Sequence, residues 1–226
     1  TEIHYDMGEH VPGGLPGTPD EDGGRFVEIW NDVFMQYDRD ANGNLTPLPK
    51  QNVDTGAGLE RVAAILQGKT DNYDTDLFVN LKRAVSDITG VAETPENVAS
   101  FKVITDHLRS VGFAIADGVI PSNTDRGYVI RRILRRAMRH GQMLGHRGAL
   151  LSKLYPALIT EMGGAYPELA REQKRVVEIL QNEENSFSDM LQNGMKLLES
   201  ELPKLNHNVL PGDVAFKLFD TYGFPL

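Results

Sequence analysis

The sequence predicts an α+β fold, in which an antiparallel β-sheet is followed by a mainly α-helical region. Up to residue 50, segments rich in β-branched and aromatic residues are separated by turn signals, among them Asn42-Gly43, a strong hairpin signal. From residue 73 onward, apolar residues recur at helical spacing. The polar stretch 69–72 has no such periodicity, so we expect two domains, residues 1–68 and 69–226.

The elements of the sheet follow from local patterns. Residues 1–6 alternate polar and apolar side chains and predict a short strand, whereas residues 7–24 contain nine Gly or Pro and predict a loop. Residues 25–37 carry the only Trp and predict the longest strand, which we expect at the centre of the sheet. A turn over residues 38–43 leads into a return arm over residues 44–48.

Residues 53–66, VDTGAGLERVAAIL, carry the strongest chemical signal of the first domain. Gly56 and Gly58 lack a Cβ and can take dihedral angles closed to other residues, which lets a backbone pass close to a ligand. Asp54 adds a carboxylate, and Arg61 adds a planar cation suited to phosphate or a purine face. The alternative is a structural strand-to-helix turn in which Asp54 caps the helix and the Glu-Arg pair is solvated. A G-x-G pattern alone does not decide between them.

End signals predict the helices of the second domain. A helix over residues 73–89 ends at Gly90, a C′ residue, and Thr94-Pro95 supplies the N-cap and first position of a helix that runs toward residue 117. After a polar loop over 118–127, the remaining predicted helices cover residues 128–143, residues 168–205 as one helix or a pair, and residues 213–225.

Five guanidiniums share one face of the helix predicted over residues 128–143: Arg131, Arg132, Arg135, Arg136 and Arg139. Between residues 126 and 147 there are seven arginines and no acid, although the whole chain has a net charge of −9. Salt bridges within the helix would place acids at i±4. The pattern therefore favours contact with a phosphate backbone, while pairing with acids of another segment, such as Glu183 and Glu184, is the structural alternative.

Composition excludes several classes of protein. The net charge of −9 argues against a protein that coats nucleic acid, and the absence of cysteine excludes a thiolate nucleophile or zinc knuckle and fits a reduced, cytoplasmic setting. No run approaches 18 apolar residues, so we expect no membrane partner. His4 and His10 lack ligand partners at suitable spacing and are expected to be solvated. The chain starts without Met and stops in an apolar run, so we expect a piece of a longer protein.

Four blocks, in this order, carry a resemblance to a known family: EIWNDVFMQY at 28–37, VDTGAGLER at 53–61, GVIPSNTDRGYVIRRILRRAMRHG at 118–141 and LFDTYGFP at 218–225. They resemble alanyl-tRNA synthetase, a class II aminoacyl-tRNA synthetase, with the second block similar to its motif 3. The resemblance implies an internal fragment, with motifs 1 and 2 upstream and the zinc-bearing editing domain downstream. Zinc is therefore not expected here, and the fragment is expected to be inactive alone.

The resemblance implies an alanine and ATP site in the first domain. Asp54 would hold the ammonium of alanine, Asn31 would hydrogen-bond the amino acid, and Arg61 would lie against the γ-phosphate or adenine of ATP. Glu28 would hold the Mg2+ that bridges the ATP phosphates. Strand alternation places positions 28 and 31 on opposite faces, so both reach one site only if a β-bulge lies near Ile29 or Trp30.

The implied reaction is attack of the alanine carboxylate on the α-phosphate of ATP, followed by transfer of alanine from the adenylate to the terminal ribose of tRNA(Ala). Asn123 and Asp220 match the residues with which the family recognises a G·U pair in the acceptor stem, and Arg131, Arg132, Arg135 and Arg139 would grip flanking phosphates. The alternatives are a non-catalytic RNA-binding module and an ATP-binding relative that no longer charges tRNA. Asp54 together with Arg61 favours the ligase.

Overall fold

The computed structural model describes residues 1–204 and 209–220. It contains two compact units, Thr1–Val79 and Asn80–Leu226. An antiparallel sheet followed by helices confirms the predicted α+β fold. The division into domains at residues 68 and 69 stays a prediction.

The sheet of the first unit has three strands in the order β1 (Glu2–Asp6), β2 (Phe26–Arg39) and β3 (Leu45–Ala57). Both pairs are antiparallel, so the predicted central position of β2 is confirmed. The hairpin between β2 and β3 is closed by Asp40, whose Oδ1 accepts the backbone N–H groups of Asn42 at 2.9 Å and Asn44 at 2.8 Å. β3 continues well past the predicted return arm, directly into the helix α1 (Leu59–Leu66).

A β-bulge interrupts the pairing of β1 with β2. Asn31 lies opposite Glu2 and Trp30 opposite Ile3, but the next residue of β1, His4, lies opposite Glu28. Ile29 is therefore the extra residue, and the predicted bulge near Ile29 or Trp30 is confirmed. Its consequence is that Glu28 and Asn31 point to the same face of the sheet, which regular alternation would forbid.

The helices after α1 are α2 (Asp76–Thr89), α3 (Val98–Ala116), α4 (Asp125–Met143), α5 (Leu151–Met162), α6 (Pro167–Arg171), α7 (Gln173–Glu201) and α8 (Gly212–Asp220). Single 3-10 turns cover Asn72–Asp74 and Leu202–Lys204. Among the described residues, none of the helices combines the length and the hydropathy that crossing a membrane requires.

Several helix ends differ from the predicted ones. α3 begins at Val98 rather than at Pro95, because the Asn97 side chain accepts the Thr94 N–H at 2.7 Å and donates to the Ala92 carbonyl at 2.9 Å, which holds residues 95–97 in a turn. The segment predicted over 168–205 is a pair of helices, α6 and α7. The end of the last predicted helix, residues 221–225, lies outside the described part of the chain.

The core of the second unit is built mainly by α3, α4, α5 and α7, and buried side chains of α2 and α6 pack into the same cluster. Fully buried side chains come from each of them, including Phe101, Ile104, Leu134, Tyr155 and Leu180. Tyr155 donates from its hydroxyl to the Leu169 carbonyl at 3.1 Å, and burial raises its pKa to about 12. The helical unit therefore presents α4 on a packed support.

Candidate functional site

The bulge gathers polar side chains on one face of the sheet, which we call the sheet-face cluster: Glu2, His4, Glu28, Asn31 and Arg61. Asn31 donates from Nδ2 to Glu28 Oε1 at 3.1 Å and to Glu2 Oε1 at 3.2 Å. Glu2 Oε2 lies 3.7 Å from His4 Nε2. His4 was expected to be solvated, but its side chain is only 21% exposed because it lies on this face of β1 beside Glu2.

Arg61, in the first turn of α1, reaches back to the bulge. Its Nη1 donates to the Glu28 carbonyl at 2.6 Å and lies 3.4 Å from Glu28 Oε2. A Cβ on Gly58 would come within 3.1 Å of the Arg61 Cδ, so Gly58 leaves room for this side chain. The Gly58 N–H donates to the Ile29 carbonyl at 3.2 Å, which fixes the start of α1 to the bulged residue. Arg61 is therefore bonded rather than simply solvated.

The carboxyl group of Glu28 is held in its ionised form. The hydrogen bond from Asn31 and then that from Arg61 lower its pKa, against the opposing effect of burial. Its side chain is 35% exposed and that of Arg61 is 47% exposed, so both remain accessible from solvent. The pair can therefore offer an anion and a cation to one bound molecule.

Asp54 and Gly56 lie on the same face of the sheet as Asn31. Gly56 pairs with Asn31 and Asp54 pairs with Val33, and residues opposite each other in an antiparallel ladder share a face. A Cβ on Gly56 would meet nothing within 4 Å, so open space lies above it. Asp54 lies inside β3 and the N-cap of α1 is Gly58, so the alternative of Asp54 as a helix cap is wrong. Neither glycine has a positive φ, so special dihedral angles do not explain them, and close approach to a ligand stays a prediction.

The opposite face of the same strands carries a polar group that sequence reasoning missed. Thr55 donates to Asp32 Oδ1 at 2.6 Å, and Trp30 donates from Nε1 to the Thr55 hydroxyl. These bonds link β2 to β3 at the residue pairs on either side of the Asn31–Gly56 pair. They fix the register that brings Asp54 near the cluster, and strand alternation was the signal that could have found them.

The second candidate site is the arginine face of α4, whose members are not equivalent. Arg131 donates from Nε and Nη2 to the two carboxylate oxygens of Glu183 on α7, at 3.0 and 2.6 Å. It also donates to Asn123 Oδ1 at 2.6 Å and to the Pro121 carbonyl at 3.2 Å. The structural alternative is therefore realised for Arg131, and its contact with phosphate stays a prediction.

Three of the remaining arginines of this face are more accessible than Arg131. Arg132, Arg136 and Arg139 are exposed, and Arg132 lies over the ring of Tyr128, 5.8 Å from its centroid. Arg135 is partly buried, and burial followed by the charge of Arg131 lowers its pKa. An arginine stacked on an exposed tyrosine is suited to RNA, whose phosphates and bases take both kinds of contact.

Glu184 is the other acid considered as a partner of these arginines, but it binds the start of α5 instead. It is buried and accepts the N–H groups of Leu150 at 2.7 Å and Leu151 at 2.6 Å, together with the Ser152 hydroxyl at 2.6 Å. Asp220 is the last residue of α8, and its side chain lies outside the described part of the chain. The predicted pairing of Asn123 with Asp220 in one site therefore stays a prediction.

Known proteins match the chain over its whole length. The family described as tRNA synthetases class II (A) matches residues 1–226. The chain is 55% identical over its whole length to an alanine–tRNA ligase of Pseudoalteromonas translucida, 54% to one of Methylobacillus flagellatus and 53% to one of a Psychrobacter species. It covers 26%, 26% and 25% of these relatives, respectively, and so spans about a quarter of their length.

Proposed function

The chain belongs to the class II (A) family of tRNA synthetases, and we propose that the enzyme to which it contributes attaches alanine to tRNA(Ala) with ATP, through alanyl adenylate. The observation that carries this proposal is the placement of Glu28, Asn31 and Arg61 on one sheet face beside Asp54. A sheet that served only as a scaffold for the arginine helix would require neither the bulge nor the Arg61 contact.

We assign the ammonium of alanine to Asp54 and Asn31. An ionised carboxylate accepts hydrogen bonds and does not donate them, so the Asn31 atom that faces Glu2 and Glu28 must be Nδ2. This orientation leaves Asn31 Oδ1 as an acceptor for the ammonium. Asp54, exposed on the same face, adds the opposite charge, and a charge-assisted hydrogen bond is stronger than a neutral one. Gly56 leaves open space between them for the small side chain of alanine.

Glu28 and Arg61 suit the phosphates of ATP. Mg2+ in nucleotide sites is bound by one or two carboxylates together with phosphate oxygens and waters, and the ionised, accessible Glu28 fits that requirement. No set of three candidate metal ligands occurs in the described residues. Mg2+ would neutralise phosphate charge when bound. Arg61 would oppose the charge that develops as pyrophosphate leaves.

The chemistry needs positioning rather than a side-chain nucleophile. The alanine carboxylate attacks the α-phosphate and displaces pyrophosphate. A ribose hydroxyl of the tRNA then attacks the alanyl carbonyl of the adenylate, and the bond to AMP breaks as the ester forms. The cluster contributes by holding the amine and the phosphates in one orientation. We further propose that the exposed Arg132 and Arg139, with Arg135, contact phosphates of the acceptor stem, that Asn123 and Asp220 read it, and that the enzyme works in the cytoplasm.

The test is Asp54→Ala in the full-length enzyme. We expect alanine-dependent exchange of pyrophosphate into ATP to fall by at least about 100-fold, because the ammonium loses its charged partner, while tRNA affinity stays near that of the wild type. Asp38→Ala removes an exposed carboxylate from β2, opposite Thr46, and should leave exchange unchanged. Exchange by Asp54→Ala at the wild-type rate would remove Asp54 from the site.

A further inference from the structure

The guanidinium of Arg131 forms its hydrogen bonds within the protein. Four hydrogen bonds join its guanidinium to Glu183, Asn123 and the Pro121 carbonyl. Its side chain is 19% exposed and that of Glu183 is 13% exposed, which distinguishes Arg131 from the exposed Arg132 and Arg139 on the same helix. A guanidinium engaged in this way has one N–H left and is poorly placed to take a phosphate in the bidentate manner.

The contact fixes the orientation of the Asn123 amide. Arginine only donates hydrogen bonds, so the Asn123 atom that faces it must be Oδ1. The Nδ2 group, with two donors, is then directed away from Arg131, and Asn123 is exposed. An asparagine free to rotate could offer either its oxygen or its nitrogen, whereas this one offers its donors.

The loop that carries Asn123 is held in place on several sides. A Cβ on Gly127 would collide with Ser122 Oγ and the Ile120 carbonyl, so the loop packs directly on the first turn of α4. Ser122 donates to the Thr124 carbonyl at 2.8 Å, and Asp125 has a φ of +52°. Strain of this kind persists only where the surroundings over-determine the conformation. The donor of Asn123 therefore has a fixed position as well as a fixed direction.

We propose that Arg131 and Glu183 are positioning residues that fix Asn123 as a hydrogen-bond donor toward an acceptor atom in the shallow groove of the tRNA acceptor stem. Acceptors in that groove are pyrimidine O2, purine N3 and the ribose 2′-hydroxyl. Arg131 itself does not grip phosphate. This proposal rests on the proposed function, because it requires that Asn123 contact tRNA.

Two variants of the full-length enzyme separate positioning from phosphate binding, because the two roles predict opposite effects of Glu183→Gln. If Arg131 orients Asn123, weakening its anchor lowers kcat/KM for tRNA charging, by about tenfold, as for the loss of one hydrogen bond to a charged group. If Arg131 grips phosphate, releasing it from Glu183 raises tRNA affinity instead, and that result would overturn the proposal. Pyrophosphate exchange should not change in either variant, Glu183→Gln or Asn123→Ala.

The double variant completes the test. In an Asn123→Ala background, Glu183→Gln should cause no further loss of charging, since residues that act through one contact are not additive. Arg139→Ala is the matched control: its effect should multiply with that of Asn123→Ala, and it should lower the slope of log affinity against log salt by about 1. Arg131→Lys, which retains the charge but not the planar fork, should charge as poorly as Glu183→Gln with an unchanged salt slope.

Two results would overturn the positioning role while leaving the ligase assignment intact. In one, the losses of charging caused by Glu183→Gln and by Asn123→Ala multiply in the double variant. In the other, Asn123→Ala charges tRNA at the wild-type rate. Absence of alanine-dependent exchange in the wild-type enzyme would instead overturn the proposed function. Melting temperatures of all variants distinguish these outcomes from misfolding: a variant that charges poorly with an unchanged Tm and unchanged exchange has lost positioning alone.

Discussion

Two neighbouring side chains stabilise the charge of Glu28, the proposed Mg2+ ligand. Asn31 and Arg61 both lower its pKa, so its interactions with them are complete at neutral pH and are lost only as the pH falls through that lowered pKa. Because the ionised form is already favoured in the free protein, binding of a cation requires no proton release from Glu28. The proposed Mg2+ ligand therefore carries its charge throughout the neutral range.

At the same scale, Arg61→Lys tests the link between the helix and the bulge. Lysine keeps the charge but lacks the planar fork, so a single nitrogen would have to serve both the Glu28 carbonyl and a phosphate. We expect pyrophosphate exchange by the full-length enzyme to fall by about 100-fold, comparable to the loss of a positioned donor to transition-state charge. Arg39→Lys at the end of β2 is the control and should exchange at the wild-type rate. An equal rate for Arg61→Lys would exclude a bidentate role.

Individual residues differed in how far the sequence could define them. Asp54 and Arg61 could be proposed from local order, because a carboxylate, two glycines and a Glu-Arg pair lie within positions 54–61. The contacts of Arg131 could only be offered as one of two alternatives. Its partner Glu183 is 52 positions away on another helix, and helical periodicity on α4 carries no information on what packs against it.

Among the elements, β2 carries Glu28 and Asn31 on one face of the sheet only because a β-bulge interrupts it at Ile29. The bulge was predictable only because two residues with implied roles lay an odd number of positions apart. No local pattern marked α5, whose sequence includes Pro156 and whose apolar side chains are buried by its neighbours. The late start of α3 has a local cause, since the side chain of Asn97 competes with the helix for the backbone groups around it.

The junction of the Asn123 loop with α4 gives a prediction for an element. Gly127→Ala should push the loop away from the first turn, because the added Cβ meets the Ile120 carbonyl, which cannot move aside as a side-chain end could. We expect a loss of about 1–3 kcal/mol in the free energy of unfolding, together with weaker tRNA charging and normal pyrophosphate exchange.

Gly164→Ala is the matched control for this loop. A Cβ at Gly164 would meet nothing within 4 Å and its φ is not positive, so neither stability nor charging should change. Thermal unfolding and charging assays on the full-length enzyme provide both measurements. If Gly127→Ala charges tRNA as well as Gly164→Ala does, the loop need not be held as described.

At the level of the whole molecule, the two units differ in how much apolar surface they bury. The helical unit encloses a continuous core, whereas the three-stranded sheet leaves Phe34 60% exposed, Val33 53% and Trp30 44%. The chain spans about a quarter of its relatives' length, 26% in the first of them. We infer that the sheet site is completed by other segments of the enzyme.

The isolated 226-residue chain should therefore be inactive. The resemblance to class II enzymes implies that the arginine for the α-phosphate belongs to a segment not included in this sequence. We expect no alanine-dependent pyrophosphate exchange by the chain alone, under conditions in which the full-length enzyme exchanges readily. Exchange above background would show that the residues described here suffice for adenylate formation.

The two adjacent acids of α7 have a consequence for how this helix can vary. Glu183 faces Arg131 on α4, while Glu184 binds the backbone at the start of α5, so neighbouring positions serve two different helices. Successive residues on a helix point about 100° apart, and inserting or deleting one residue ahead of them would turn both carboxylates away together. Two separate contacts, that of Glu183 with Arg131 and that of Glu184 with the start of α5, thus constrain the length of α7 between its start and Glu184. The same stretch of α7 therefore positions both the Asn123 loop and α5.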